Sequence, residues 1–143
     1  MSYVAPDVNA YMGTSVPDGQ CVAYVKAAAG CPATPQWREG AKVKGADLAV
    51  GTAIATFQNG RYTNSPGGQS HAAIYLRQTA AGLVVHDQWV GSSGVQVVHE
   101  RAIRFQGGAT TPNNDGDAFS VIEHVTVMAG LEAARRAQAA AKA

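Results

Sequence analysis

The pattern of apolar and polar positions changes from helical to strand-like along the chain. From residue 21 to residue 29 apolar side chains recur at helical spacing, and Gly30 follows where a helix typically stops. These residues predict one short helix that begins at Cys21. Beyond residue 50, segments rich in Val, Ile, Thr, Phe and Tyr are separated by turn residues, which predicts about five strands at 51–57, 70–77, 83–90, 95–99 and 118–125.

The remaining segments show no sustained period. The stretch up to about residue 17 is rich in turn formers, and we expect an irregular arm there. Residues 37–45 favour a loop or a single helical turn. We expect one domain over residues 1–128, followed by an Ala-rich tail, 129–143, that is helical or disordered because it has almost no large apolar residues to dock it. One early helix followed by an antiparallel sheet of about five strands predicts an α+β fold.

Composition limits the kind of partner. The chain has 143 residues, 46% of them hydrophobic and 15% charged, which suits one core and a monomer. Its net charge of +1 does not favour nucleic acid as a partner. No segment approaches the roughly 20 apolar residues of a membrane span, and no Sec signal peptide is visible at the start. We therefore expect synthesis in the cytoplasm without a signal peptide and no membrane insertion.

Cys21 is the candidate nucleophile. A cysteine reacts as its thiolate, and the free N–H groups at a helix N-terminus favour that negative charge. The polar approach Asp18-Gly19-Gln20 suits an exposed thiol. The alternative is an inert cysteine that fills the start of the helix, because buried cysteines are common.

Cys31 lies between Gly30 and Pro32, away from any helix start, and is expected to be structural. Two alternatives involve it. A disulfide with Cys21 would mask the thiol until it was reduced. A zinc site could use both cysteines with His71 and His86, but no CxxC or HExxH spacing arranges them for metal binding, so no metal is expected.

His71 is the candidate base, because it alone among the four histidines begins a predicted strand directly after a Gly-rich loop. A base needs a partner that orients its ring, and the next strand offers Asp87, with Gln88 and His86 as alternatives. If Ala80-Ala81-Gly82 forms a three-residue hairpin loop with Gly82 in the left-handed conformation, Asp87 lies on the same face of the sheet as His71. Contact between them requires a bulge or a longer loop, since simple register leaves them several residues apart.

Four segments stand in a characteristic order: Gly19-Gln20-Cys21-Val22-Ala23-Tyr24-Val25-Lys26, Val50-Gly51-Thr52-Ala53-Ile54-Ala55-Thr56-Phe57, Ser70-His71-Ala72-Ala73-Ile74-Tyr75 and Asp87-Gln88-Trp89. Together they resemble the CHAP and NlpC-type cysteine amidohydrolases. That resemblance implies a papain-like α+β fold and hydrolysis of amide bonds in peptidoglycan stem peptides or cross-links. By position Cys21 matches the nucleophile, His71 the base and Asp87 the acidic residue, whereas Trp89 stands where CHAP proteins often have asparagine.

The chain also resembles the amidase effectors of type VI secretion systems, which are small single domains. This resemblance implies delivery into the periplasm of a target bacterium, and it allows a cognate immunity protein as a partner. Gln20, Gln88 and Trp89 are the expected oxyanion or substrate contacts, and no cofactor is required. A phage lysin and a non-catalytic binding or immunity-type module on the same fold are the alternatives.

Overall fold

A computed structural model describes residues 2–124 of the chain. One α-helix, α1 (Cys21–Ala29), precedes all of the strands, and Gly30 ends it in the left-handed conformation with φ of 72°. The predicted tail 129–143 and the boundary at residue 128 lie outside the described residues, as does the last position of the predicted strand 118–125. The strands are β1 (Arg38–Lys42), β2 (Ala53–Thr56), β3 (Ala72–Gln78), β4 (Gly82–Gly91), β5 (Gly94–Arg104) and β6 (Phe119–Glu123).

The strands form a single antiparallel sheet in the order β1-β6-β2-β3-β4-β5. The predicted α+β class and the position of the helix are confirmed. The five predicted strands correspond to β2 through β6, and the sheet has one strand more than expected.

The additional strand is β1, which corrects the prediction of a loop or helical turn at residues 37–45. Its sequence is charged and contains a glycine, and it pairs only at the edge of the sheet with β6, where Arg38 lies opposite Glu123. An edge strand tolerates such residues because one side of its backbone faces away from the sheet. Its sequence therefore lacks the apolar alternation by which a strand is predicted.

The two faces of the sheet have separate apolar cores, and adjacent strand residues alternate between them. Ala53 and Ala55 of β2 face the core that contains α1, whereas Ile54 faces the opposite core. Small residues on the helical side allow α1 to approach the backbone closely. Leu48 and Phe105 pack against the opposite core from outside the strands.

The arm before α1 has no helix or longer strand, as predicted, and it is fastened to the sheet. Ala53 N donates to Tyr3 O, and Val98 exchanges backbone hydrogen bonds with residues 13 and 14. The buried ring of His86 contacts Val8 O through Nδ1 at 2.8 Å. The arm therefore covers one side of the sheet and leads the chain to the start of α1.

Within residues 2–124, no helix has the length and apolar character needed to cross a membrane.

Candidate active site

A glycine turn places Cys21 at the first residue of α1. Gly19 has φ of +82°, and a Cβ at this position would come within 2.9 Å of the Val95 side chain. The Gln20 backbone N–H donates to the Asp18 carboxylate at 2.9 Å. Because the first N–H groups of a helix have no partner inside the helix, the Cys21 thiol lies where the backbone favours negative charge.

The surroundings of the thiol lower its pKa. Burial alone would raise the pKa of Cys21, but a hydrogen bond and charge from His71, the Ala72 backbone and the Tyr62 hydroxyl bring it below its ordinary value. Tyr62 Oη lies 3.8 Å from Cys21 Sγ. Burial and then the neighbouring Cys21 raise the pKa of Tyr62, so the phenol stays protonated and can donate to a thiolate. Tyr62 is a site residue that was not predicted from the sequence, because it lies in a loop with no motif around it.

His71 and Asp87, the candidate base and its candidate partner, are in contact. His71 Nε2 and Asp87 Oδ2 are 2.7 Å apart, and both side chains are buried. This contact leaves Nδ1 of His71 for Cys21. Burial would lower the pKa of His71, but hydrogen bonds to Asp87 and Cys21, with their charges, raise it to about 9. The lowered pKa of Cys21 and the raised pKa of His71 therefore favour a Cys21 thiolate beside a His71 imidazolium.

A bulge brings Asp87 near His71, as the sequence required. The register of β3 on β4 shifts between Tyr75 and Arg77, and beyond this shift Ile74 pairs with His86. If this register is continued, the residue of β4 opposite His71 is Trp89. Asp87 lies two residues before Trp89, so its side chain is on the same face of the sheet as that of His71. Diagonal neighbours at this spacing are within reach of long side chains.

Arg101 completes the group and was also not predicted. Its Nε and Nη2 atoms donate to Asp87 Oδ2 at 3.0 and 2.7 Å. Burial would raise the pKa of Asp87, but the hydrogen bonds and charges of His71 and Arg101 lower it. The fully buried Asp87 therefore keeps its negative charge. The predicted strand 95–99 stopped two residues short of Arg101, so this cation was not expected at the site.

Cys21 and His71 open onto a cleft of about 510 Å³. The loop 64–70 and the turn at residues 113 and 114 contribute to its lining, and Gly68 O accepts a hydrogen bond from Asn113 N between them. Trp89 and Arg101 contribute the strand side. The other polar residues that line the cleft are amides and hydroxyls, which carry no charge. Within residues 2–124, no carboxylate lines the cleft.

The three expected oxyanion or substrate contacts have different positions. Gln20 and Trp89 line the cleft, and the ring of Trp89 lies 5.0 Å from the Arg101 guanidinium. Gln88 does not line the cleft, which corrects the expectation for this residue. It is fully buried. Its side-chain oxygen accepts a hydrogen bond from Val16 N, and its side-chain nitrogen donates to Val16 O and Gln20 O. Gln88 therefore fastens the arm and the start of α1.

The alternatives that involve Cys31 do not agree with the structure. Cys21 and Cys31 are both free, so they form no disulfide. Burial raises the pKa of Cys31 to about 12, which makes it a poor nucleophile at neutral pH. In the described part of the chain, no three His, Cys, Asp or Glu side chains come together as metal ligands, so the four suggested zinc ligands are not assembled.

The chain matches known proteins over most of its length. Residues 2–122 match the family described as domesticated amidase effector 2. The chain is 32% identical to the type VI secretion amidase effector 2 protein of Salmonella typhi, over 86% of this chain and 100% of that protein. It is 36% identical to domesticated amidase effector 2 of Ixodes scapularis, over 73% of this chain and 70% of that protein.

A solved structure agrees with these matches. Type 6 secretion amidase effector 2 superposes with a TM-score of 0.72 at 32% identity, over 85% of this chain and 94% of that one. The expected resemblance to type VI secretion amidase effectors is confirmed. The family match spans the arm, the helix, β1 to β5 and all but the last residue of β6, and the chain belongs to the amidase effector 2 family.

Proposed function

We propose that this protein is a cysteine amidohydrolase that cuts amide bonds in the peptides of bacterial peptidoglycan. The observation that carries the proposal is the thiol of Cys21, which has a lowered pKa, beside the buried His71–Asp87 pair at the mouth of a cleft. The amidase names of the relatives support the same class of reaction. A perturbed thiol and histidine in a cleft are typical of nucleophilic catalysis.

In the first half of the reaction, the Cys21 thiolate attacks the carbonyl carbon of the scissile amide. His71 then transfers its Nδ1 proton to the leaving amine as the C–N bond breaks, which leaves a thioester on Cys21. His71 is suited to this transfer because its raised pKa keeps it protonated at neutral pH. Asp87 holds the ring through Nε2, so that Nδ1 faces the reacting atoms.

In the second half, the neutral His71 takes a proton from water, which attacks the thioester and releases the acid product. Both tetrahedral intermediates carry an oxyanion that needs fixed donors. We assign these donors to the Cys21 backbone N–H and the Gln20 side-chain amide, because both belong to residues that line the cleft. Trp89 contributes a substrate contact on the strand side.

The order of elements supports a papain-like fold of the NlpC or CHAP type. The nucleophile begins a helix, the base lies directly before β3, and the orienting residue lies on β4. With Asp87 in contact with His71, the alternatives for the third member have other tasks. His86 contacts Val8 O, and Gln88 supports the start of α1.

The relatives named for type VI secretion support a biological setting. We propose that the protein is an antibacterial effector that acts on the wall from the periplasm of a target bacterium. A producer of such an enzyme would be protected by a cognate immunity protein that blocks the cleft.

Digestion of purified muropeptides, with products identified by mass spectrometry, tests the proposed function. Wild-type protein should release peptides cut at an amide bond. Cys21→Ala should abolish cleavage without unfolding the protein, and Cys31→Ala is the matched control, because Cys31 is a buried cysteine that does not line the cleft. Equal cleavage by wild type and Cys21→Ala would refute the mechanism, and a folded wild type that cuts nothing would favour a non-catalytic module.

A further inference from the structure

The cleft has one permanently charged lining residue among those described, and it is a cation. Arg101 lines the cleft together with Cys21 and His71, and its side chain is 20% exposed. The carboxylate that balances its charge belongs to Asp87, which is fully buried behind the cleft. A substrate in the cleft therefore meets the guanidinium and not the carboxylate.

The guanidinium has donors to spare. Nε and Nη2 share one edge of the group, and both donate to a single oxygen of Asp87. Nη2 also has a long contact of 3.5 Å to Asn113 O. No hydrogen bond within residues 2–124 uses Nη1, which lies on the side of the group away from the Asp87 contact. An arginine has five N–H donors, so such a group can hold one carboxylate and bind a second.

The orientation of the guanidinium is fixed before any substrate binds. Asp87 holds one edge, and the Trp89 ring lies 5.0 Å from the guanidinium carbon. A cation held in this way loses little side-chain entropy when it binds a ligand. The site contains two ion pairs, Cys21 with His71 and Asp87 with Arg101, and the opposite charges within each pair cancel. An anionic substrate group therefore meets no excess of negative charge.

We infer that Arg101 is a specificity-determining residue that binds a free carboxylate of the substrate close to the scissile amide. The inference rests on the proposed amidase function and names the class of peptide that the cleft selects. A peptide whose carboxylate is free gains a charge-assisted hydrogen bond to Nη1. The same peptide with that carboxylate converted to a primary amide loses the charge, which should cost about tenfold to a hundredfold in kcat/KM.

The competing explanation is that Arg101 only positions Asp87, and a pair of substrates separates the two. One is a purified cross-linked muropeptide dimer, and the other is the same dimer with its carboxylates converted to primary amides. Wild type should favour the free-carboxylate dimer at least tenfold in kcat/KM. Arg101→Gln should lower cleavage of both and bring their ratio close to one, while Arg101→Lys should keep part of the preference. Arg104→Gln removes an exposed cation of β5 that does not line the cleft, and should keep the wild-type ratio.

An unchanged ratio in Arg101→Gln overturns the inference, since a positioning role lowers both rates alike. If Arg101→Gln cuts neither dimer, the dissociation constants of both dimers are measured in the Cys21→Ala protein with and without Arg101→Gln. A preference for the free carboxylate that disappears with Arg101→Gln supports the inference, and a preference that is absent or survives overturns it. The same binding measurement applies if wild type cuts neither dimer, so failure of the proposed function is distinguishable from failure of the inference.

Discussion

Replacement of His71 by alanine should switch Cys21 from a stabilised thiolate to a buried neutral thiol. His71 supplies the largest effect that lowers the pKa of Cys21 against the opposing effect of burial. Without the imidazolium, the Ala72 backbone and Tyr62 remain, and they donate to the sulfur without bringing a full charge. We therefore expect the pKa of the thiol to rise above its ordinary value, as burial requires.

Cys31 indicates how large the change can be. It is a buried cysteine for which burial is the one cause of its shift, and its pKa is raised to about 12. Relative to an ordinary thiol, this is roughly a thousandfold loss of thiolate at neutral pH. A more basic thiolate is also a better nucleophile, with a Brønsted slope of about 0.4–0.5, so the net loss of alkylation rate is about thirtyfold to sixtyfold. Alanine at position 71 leaves room for water beside Cys21, and we expect a loss between about tenfold and thirtyfold.

The assay is the rate of alkylation by iodoacetamide between pH 5 and pH 10, with thiolate absorbance near 240 nm as a second readout. A Cys31→Ala background makes Cys21 the one reporter. The alkylation rate of the starting protein should level off below the ordinary pKa of a thiol, whereas the His71→Ala protein should still gain about tenfold per pH unit from pH 6 to pH 8. Superimposable profiles would refute the ion pair and, with it, the proposed activation of Cys21.

Four further outcomes depend on the same structure. Wild-type kcat/KM should fall as pH rises through about 9, because His71 then loses the proton that the leaving amine requires, and a profile that is still rising at pH 10 would contradict this role. Asp87→Asn should reduce kcat/KM less than His71→Ala and lower the free energy of unfolding by about 2–4 kcal/mol at pH 7, because it leaves a cation unpaired. In urea titrations this loss of stability should shrink as pH falls through the lowered pKa of Asp87, where the wild-type carboxylate is protonated as well. Gly19→Ala should lower the free energy of unfolding by about 1–3 kcal/mol, more than Gly13→Ala, since both have positive φ but only a Cβ at position 19 meets a neighbouring side chain. Expression with an added export signal should lyse bacteria from the periplasm, while expression without that signal and exported Cys21→Ala should both be harmless.

Local sequence signals predicted the elements that place the nucleophile and the base. Apolar spacing with Gly30 at its end predicted α1, and the Gly-rich loop before His71 predicted a histidine at the start of a strand. These inferences succeed because each depends on residues that are near one another in the chain.

The rest of the site depends on pairing between distant segments. The bulge between Tyr75 and Arg77 sets the register of β3 on β4, and nothing in the local pattern fixes its position. Arg101 is brought to Asp87 by the β4–β5 hairpin, and Tyr62 is brought to Cys21 by packing of its ring at 4.8 Å from the Trp37 ring. Gln88 was assigned to the cleft because its buried hydrogen bonds to the arm are not visible in the sequence.

The acidic residue at position 87 accounts for the presence of Arg101. An asparagine that orients a catalytic histidine is neutral and can be buried at little electrostatic cost, whereas a fully buried carboxylate needs a compensating cation. His71 provides such a cation only while it is protonated, and it is neutral between giving its proton to the leaving amine and taking a proton from water. Arg101 keeps its charge throughout, so Asp87 remains an anion after His71 has become neutral and does not take the proton itself. The residue that holds Asp87 charged is also the cation that lines the cleft, so the orientation of the base and the charge presented to the substrate depend on one side chain.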